Sequence, residues 1–339
     1  MILKKTLVLV VMLVLSSVEL YSQDKEKTVV AQKGEGIYTL LRKFNMSPSK
    51  YYSDFIALNK DNLRNGKYLY EGKTYIIPDR LIKVDGKEEL PAIVNGYPIF
   101  GKKHATVQRK SNKLKGAVYY LISGHGGPDP GAVTKYGKKL ISEDEYAYDI
   151  TLRLGRELIS HGALVYIIIR DENDGIRDGK LLPVDYDEVC YPNKTIPLNQ
   201  VARLKQRVDA VNDLYMQNKG KYQRLIVTHI DSRSVGQNID VFFYHHEKSS
   251  NGKRLAESIH KTFDSKYREY QPNRDYTGTF LDRSGLYLVK NTIPAMAYIE
   301  IGNIKNKKDQ KRILVAENRQ ALAKWISEGV LLDYSRNKN

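Results

Sequence analysis

The stretch AVYYLISGHGGPDPGA, residues 117–132, decides the fold of this chain. Ala117 to Ile122 is a continuous apolar run, which is typical of a buried β-strand, and the glycines and prolines after it indicate a tight loop. Further apolar, β-branched runs lie downstream and alternate with segments of helical periodicity. This alternation predicts an α/β domain with a mixed sheet that carries helices on both faces.

The predicted elements of this domain follow one another in regular order. The later apolar runs are Ala163 to Ile169, Leu225 to Thr228, Val241 to Tyr244 and Ala295 to Ile301. The helical periods are Glu143 to Ser160, Leu198 to Gln217, Gly252 to Tyr267 and Gln310 to Leu331. Residues 171–197 are rich in turn formers, so we predict a long surface insertion there, which could cover a site.

The first residues of the chain predict export. Lys4 and Lys5 precede an apolar run from Leu7 to Leu15, and a polar stretch follows as far as Gln23. That run is about half the roughly 20 residues that a membrane-spanning helix needs. We therefore interpret residues 1–23 as a cleaved signal peptide and expect an exported protein, periplasmic or extracellular, with no stable membrane insertion after cleavage. An uncleaved anchor is the alternative.

Charge and cysteine content narrow the range of partners. The formal net charge is +16, which favours an anionic neighbour. An exported chain meets anionic envelope polymers and acidic peptides instead of nucleic acid, so we expect no nucleic-acid partner; solvated surface lysines are the alternative reading. Cys190 is the only cysteine, so no internal disulfide can form.

Residues 28–78 predict a small separate unit. Its first strand contains Val29 and Val30, and its last strand begins at Tyr75. Two segments of helical periodicity lie between them, and Gly66 and Gly72 mark turns before the last strand. The expected order is strand, helix, helix, strand. Residues 79–115 read as a basic connector that packs on the next domain.

This small unit resembles a LysM module. Gly34 to Tyr38 is similar to the module's opening turn, Leu58 and Asn59 to its characteristic pair, and Gly72 to Pro78 to its ending. The resemblance implies binding to a glycan that contains N-acetylglucosamine. A small structural cap is the alternative.

Three candidate metal ligands lie where the predicted elements approach one edge of the sheet. His125 follows the first strand, Glu143 begins the first long helix, and His229 follows the strand Leu225 to Thr228. Sites in open α/β sheets collect beyond the carboxyl ends of the strands. Two imidazoles and one carboxylate are a ligand set of catalytic zinc sites that leave one position open.

The longer pattern around these residues resembles the zinc-dependent N-acetylmuramoyl-L-alanine amidase family called amidase 3. The similar segments are Gly124 to Ala132, Glu143 to Leu154, Arg170 with Asp171, Arg207 with Asn212, His229, and Pro294 to Asn303 with Asn306. They occur in the family's order and cover residues 116–334, which we expect to be the catalytic domain. The resemblance implies peptidoglycan as substrate and association with the cell wall.

The family resemblance also implies roles for individual residues. Zn²⁺ held by His125, Glu143 and His229 would activate water and polarise the scissile carbonyl, and Glu300 would be the catalytic acid and base. Arg170 or Arg207 could bind a carboxylate of the stem peptide, although structural pairing is the alternative for each. The sequence does not identify an activator protein.

Two other functions remain open at this point. One is a noncatalytic peptidoglycan-binding protein with the same fold. The other is a zinc peptidase acting within the stem peptide, a class that commonly carries a His-x-x-Glu motif. Pro128 stands three places after His125, so that motif is missing here.

Overall fold

The computed structural model of the protein describes residues 28–44, 46, 48–78, 93–94, 96–231, 241–273, 276 and 279–337. The predicted signal peptide, residues 1–23, lies outside them. The chain divides into two compact units, Met1–Glu89 and Leu90–Asn339. In the part of the chain that the structure describes, no helix is both long and apolar enough to cross a membrane.

The first unit has the order strand, helix, helix, strand. Its elements are β1 (Thr28–Val30), α1 (Ile37–Lys43), α2 (Pro48–Leu58) and β2 (Thr74–Ile76). The two strands pair antiparallel, with Val29 opposite Tyr75. The Asn59 side chain, just after α2, accepts a 2.7 Å hydrogen bond from the Ile76 N–H and donates one of 2.8 Å to the Ile76 carbonyl. This amide therefore fixes the end of α2 to β2. The identification with LysM modules stays a prediction.

The second unit contains the other strands and helices of the described residues. The strands are β3 (Ile93–Val94), β4 (Val107–Gln108), β5 (Ala117–Ser123), β6 (Val133–Tyr136), β7 (Lys139–Ser142), β8 (Leu164–Ile167), β9 (Ile169–Arg170), β10 (Val189–Cys190), β11 (Lys194–Thr195), β12 (Tyr222–Asp231), β13 (Phe242–His245), β14 (Thr279–Asp282) and β15 (Met296–Asn303). The helices are α3 (Glu143–Ser160), α4 (Gln200–Gln217), α5 (Ser250–Tyr270), α6 (Tyr287–Asn291), α7 (Lys307–Leu314) and α8 (Ala316–Arg336).

Six strands form the central sheet in the order β14-β13-β15-β12-β5-β8. The strands β15, β12, β5 and β8 run parallel to one another, whereas β13 is antiparallel to β15 and parallel to β14. The sheet is therefore mixed, as the sequence predicted.

Both faces of the sheet are covered. Alternate residues of β5 point to opposite sides, so Tyr119 and Leu121 pack with α3, α5 and α8, whereas Tyr120 and Ile122 pack with α4 and α6. All four side chains are fully buried. A strand buried on both faces reads as a continuous apolar run, which explains the sequence pattern of residues 117–122.

Two predicted elements are each divided in two by the structure. The helix predicted from Gln310 to Leu331 is two helices, α7 and α8, that meet at Val315. The buried Arg319 guanidinium donates to the Ile313 and Leu314 carbonyls, which a continuous helix would use internally. The apolar run Ala163 to Ile169 likewise divides into β8 and β9.

The insertion is more ordered than the sequence suggested, and the described part of the connector packs on the second unit. Residues 171–197 include β10 and β11, which pair antiparallel and extend from β9. In the connector, residues 79–92 lie outside the described part, while Phe100, Val107 and Leu114 are buried in the core of the second unit.

Candidate active site

Three side chains from distant parts of the sequence converge at one edge of the central sheet. One ligand atom from each of His125, Glu143 and His229 lies within 4.8 Å of the other two. The two imidazole rings have centroids 5.0 Å apart and are nearly perpendicular, at 79°. The structure thus brings together the three residues predicted as metal ligands.

The loop after β5 is folded tightly around His125. The Gly124 N–H donates to the Thr228 carbonyl of β12 at 2.8 Å, and the Gly126 N–H donates to the Asp129 carbonyl at 2.8 Å. His125 itself has φ of 62°, in the left-handed region that non-glycine residues seldom adopt. Such strain persists only where the surroundings hold it, and it is common at functional sites.

The orientation of the His125 ring is set by Asp129 and Arg203. His125 Nδ1 donates to Asp129 Oδ2 at 3.0 Å, and Arg203 Nη2 donates to the same oxygen at 2.7 Å. The His125 hydrogen bond holds the pKa of Asp129 well below its usual range. Because Nδ1 is engaged, His125 presents Nε2 to Glu143, at 3.3 Å from Oε2.

Glu143 lies between the two histidines and is almost fully buried. Its Oε1 accepts from His229 Nδ1 at 2.8 Å and from the Ile230 N–H at 3.1 Å, and its Oε2 accepts from the Ala132 N–H at 3.1 Å. As the first residue of α3, it also faces the positive end of the helix dipole. The carboxylate is therefore held in its charged form.

The ionisation of this cluster reflects its close packing. Burial alone would lower the pKa of His125, but hydrogen bonds to Asp129 and Glu143 outweigh it and raise that pKa to about 10. Burial alone would raise the pKa of Glu143, but hydrogen bonds from both imidazoles hold it well below its usual range. Burial lowers the pKa of His229. The cluster therefore contains a charged carboxylate between two imidazoles, of which only His125 has a raised pKa.

Two glycines leave the space that this donor set needs. A Cβ atom on Gly124 would overlap the His229 ring. On Gly131, whose φ is +67°, a Cβ would lie 2.7 Å from the His125 ring and 2.8 Å from Glu143 Oε2. The residue types, their burial and this cradle fit a zinc ion with two histidine ligands and one carboxylate ligand.

A cavity of about 330 Å³ opens beside the cluster. Its lining includes the three candidate ligands and Glu300, which lies on β15 directly opposite His229 of β12 in the parallel register. The Tyr298 ring stacks on the His229 ring, with centroids 4.8 Å apart. Strand register therefore places a second carboxylate next to the candidate ligands.

The two arginines predicted to bind substrate occupy different places. Arg207 lines the cavity, and its Nη2 donates to the His125 carbonyl at 2.8 Å. Burial lowers the pKa of Arg207 to about 10. Arg170, although described by the structure, is not part of the cavity lining and donates to the Pro192 carbonyl at 2.9 Å.

Sequence reasoning missed Asp129 as the partner of His125 and Arg203 as the partner of Asp129. Asp129 was visible in the glycine-rich stretch, four residues after His125, but its contact depends on the turn that Gly126 closes. Arg203 precedes Arg207 by one helical turn, so both reach the same side from α4. The spacing of the two arginines was the only signal in the sequence, and it does not identify His125 as their neighbour.

Comparison with known proteins gives a consistent set of relatives. A profile of the family described as N-acetylmuramoyl-L-alanine amidase matches residues 120–331. The germination-specific N-acetylmuramoyl-L-alanine amidase of Bacillus subtilis (strain 168) is 24% identical over 219 residues, which are 64% of this chain and 80% of that protein.

Solved structures of similar chains include two amidases. N-acetylmuramoyl-L-alanine amidase AmiC2 of Nostoc punctiforme shows 20% identity and a TM-score of 0.44, over 67% of this chain and 99% of that chain. The CwlD amidase from Clostridioides difficile, solved in complex with the GerS lipoprotein, shows 20% identity and a TM-score of 0.47, over 65% of this chain and 98% of that chain.

Proposed function

Because the chain belongs to the N-acetylmuramoyl-L-alanine amidase family, we propose that it cleaves peptidoglycan with a zinc ion held by His125, Glu143 and His229. Its activity is that of the family: hydrolysis of the amide between the lactyl group of the glycan and the first alanine of the stem peptide. The observation that carries the zinc proposal is the convergence of these three donors within 4.8 Å around two glycines that leave them room.

Each residue of the site has a distinct part in this proposal. A zinc ion held there would act as a Lewis acid that lowers the pKa of water toward neutrality and polarises the scissile carbonyl. Asp129 keeps the proton of His125 on Nδ1, so Nε2 remains available as a donor atom. Glu300 takes the proton of the attacking water and delivers it to the leaving alanine nitrogen, which cannot depart as an anion.

The cavity provides the binding surface for the peptide. Leu204, Leu286 and Tyr287 line it together with the polar residues, so an alanine side chain can rest on an apolar wall. Arg207 is the proposed contact for a carboxylate of the stem peptide because it lines this space. Arg170 was predicted for the same role, and its position outside the lining gives that role no support.

The remaining domain assignments belong to the same proposal. Residues 1–23 direct export, and residues 28–78 bind glycan as a LysM-like module. Residues 79–115 connect it to the catalytic domain, residues 116–334, and the last part of this connector packs in the core of the same unit. The net charge of +16 would favour association of the exported chain with an anionic substrate.

The test combines metal analysis with the identity of the products. Purified full-length protein is expected to contain one zinc per chain and to release stem peptides with a free alanine amino terminus from sacculi, as read by mass spectrometry. Removing the metal with a chelator should abolish release, and adding Zn²⁺ should restore it. Cleavage inside the stem, or full activity without metal, would contradict the proposal.

A matched pair of variants separates the role of Glu300 from zinc binding. Glu300→Gln should keep the zinc and lose activity by about 10²–10⁴-fold, the usual contribution of a general base. Glu317→Gln, which neutralises an exposed carboxylate on α8, is the control and should retain both. Activity of Glu300→Gln within threefold of the control would remove Glu300 from the mechanism.

A further inference from the structure

A second group of acidic side chains lies outside the cavity. Asp144, Glu145 and Glu188 are 1%, 1% and 4% exposed, and one carboxylate oxygen from each lies within 4.8 Å of the other two. Asp171 and Asp185 form an adjoining group that shares Glu188. These residues join the first turn of α3 to residues 171–188 of the insertion.

The positive charge near this group is too small to balance it. Arg177 Nη1 lies 2.8 Å from Glu145 Oε2 and also pairs with Asp174. The remaining support comes from the helix dipole and from backbone N–H groups, since Glu145 Oε1 accepts from Asp185 and Glu188 Oε2 accepts from Gly127. Several buried carboxylates therefore share one guanidinium.

One buried oxygen in the group lacks a well-formed hydrogen bond. Asp144 Oδ1 accepts from the Glu145 N–H at 2.9 Å, whereas Oδ2 is fully enclosed and makes no hydrogen bond of normal geometry, although the Ser142 hydroxyl interacts with this carboxylate. The Ser142 hydroxyl nearby is also buried without a hydrogen bond of normal geometry. Leaving a carboxylate oxygen buried and unmatched is costly unless a cation or proton neutralises it.

Two carboxyl groups away from the candidate zinc ligands also feel this burial. Burial raises the pKa values of Glu188 and Asp185 to about 7. Ordinary carboxyl groups titrate near pH 4. A divalent cation would neutralise the same oxygens and would also occupy the unmatched lone pairs.

We propose that Asp144, Glu145 and Glu188 form a second cation site, distinct from the zinc site, that takes a hard divalent ion such as Ca²⁺. Carboxylate oxygens without nitrogen or sulfur donors select such ions over zinc. Donor atoms up to 4.8 Å apart are within reach of one ion, because Ca–O bonds of ~2.4 Å extend from both sides.

The ion would connect the insertion to the active site. Asp144 and Glu145 directly follow Glu143, and Glu188 holds the Gly127 N–H of the His125 loop at 2.6 Å. One ion on these carboxylates would fix both segments that carry candidate zinc ligands. The site has a positioning role and does not touch the substrate.

Direct metal binding to the full-length, zinc-saturated protein tests this proposal. After equilibrium dialysis against Ca²⁺, elemental analysis should find one calcium per chain in addition to zinc. The unfolding midpoint should rise by about 5–10 °C when Ca²⁺ is about a hundredfold above its Kd. The same measurements with Mg²⁺ identify the ion, and binding of Mg²⁺ alone supports the site with the smaller cation.

Two variants of neighbouring residues provide the specific comparison. Glu188→Gln should weaken calcium binding by about tenfold or more, because it removes one ligand charge. Asp187→Asn, at the exposed residue next to it, should leave binding unchanged. The proposal is overturned if neither Ca²⁺ nor Mg²⁺ binds or raises the midpoint in the unaltered protein, or if both variants lose binding equally.

Discussion

Single glycines determine how closely the candidate zinc ligands approach one another. Gly131 adopts φ of +67° beside the His125 ring, and Gly137 adopts φ of +62° in the β6–β7 hairpin, where a methyl group would meet no atom within 4 Å. The two residues share the same backbone conformation and differ in what a side chain would meet. Alanine variants at these two positions therefore distinguish the effect of backbone strain from the effect of filling the space next to the zinc ligands.

Gly131→Ala is expected to lose zinc, and Gly137→Ala is expected to keep it. Both variants should be destabilised by about 1 kcal/mol because alanine is strained at positive φ. Only the Gly131 variant places a methyl group against His125 and Glu143. Zinc content and the free energy of unfolding check this, and equal zinc content in both variants would contradict it.

Asp129 affects the site through the His125 ring. Asp129→Asn removes the charge that holds the Nδ1 proton, so we expect zinc to bind about 10–100-fold more weakly, as for other residues that orient metal ligands. Competition with a chromogenic chelator measures the change. Asp209→Asn, at an exposed residue of α4 paired with Lys205, is the control. Unchanged zinc affinity in Asp129→Asn would show that Arg203 and the loop orient His125 without it.

The sequence predicted those site residues whose position follows from a single strand or helix. His125 follows β5, Glu143 begins α3, and His229 and Glu300 lie in the C-terminal halves of β12 and β15, so their meeting at one edge follows from the topology. The contacts of Asp129 and Arg207 depend on a strained loop and on the packing of α4. Neither leaves a periodic pattern in the sequence, and Arg170 could not be told apart from Arg207.

At the scale of elements, Arg319 joins three parts of the second unit. Its fully buried guanidinium donates to Asp149 of α3, to the last carbonyls of α7, and to the Arg177 and Gly179 carbonyls of the insertion. Asp149 is also fully buried and pairs with Arg153 at 2.7 Å. The start of α8 is thus held by polar contacts within the core.

Arg319→Met should destabilise the protein by about 3–5 kcal/mol, because it leaves Asp149 and several carbonyls without this partner. Urea denaturation gives the free energy of unfolding. Lys324→Met changes an exposed cation of the same helix, with its side chain 61% exposed, and should change stability by less than about 0.5 kcal/mol. A loss below about 1 kcal/mol for Arg319→Met would mean that these contacts are replaceable.

The same arginine explains where element prediction failed. The bounds of α3 were predicted correctly, since Glu143 to Ser160 has one unbroken helical period. The break at Val315 leaves no such signal in the sequence. Arg319, which donates to the carbonyls at the end of α7, is held by Asp149, which is far away in the sequence. The short strands β6 and β14 are largely exposed, so they lack the buried pattern by which longer strands are found.

At the scale of the whole molecule, the second unit contains every residue assigned to the site. A chain limited to residues 90–339 is therefore expected to keep kcat on a soluble muramoyl peptide. On intact sacculi its KM should rise by about tenfold or more, because the first unit no longer adds a second attachment. Full-length protein under the same conditions is the comparison. An unchanged KM on sacculi would contradict the proposal that residues 28–78 bind glycan.

The pairing of β12 with β15 has a wider consequence. His229 and Glu300 are direct neighbours in this parallel register, so backbone hydrogen bonds alone fix their separation at about one strand spacing, ~4.8 Å. A slip of β15 by a single residue would substitute Ile299 or Ile301 for the acid and turn it to the opposite face. The surrounding loops can thus differ in length and sequence while the proposed zinc ligand and the proposed base stay at a constant distance.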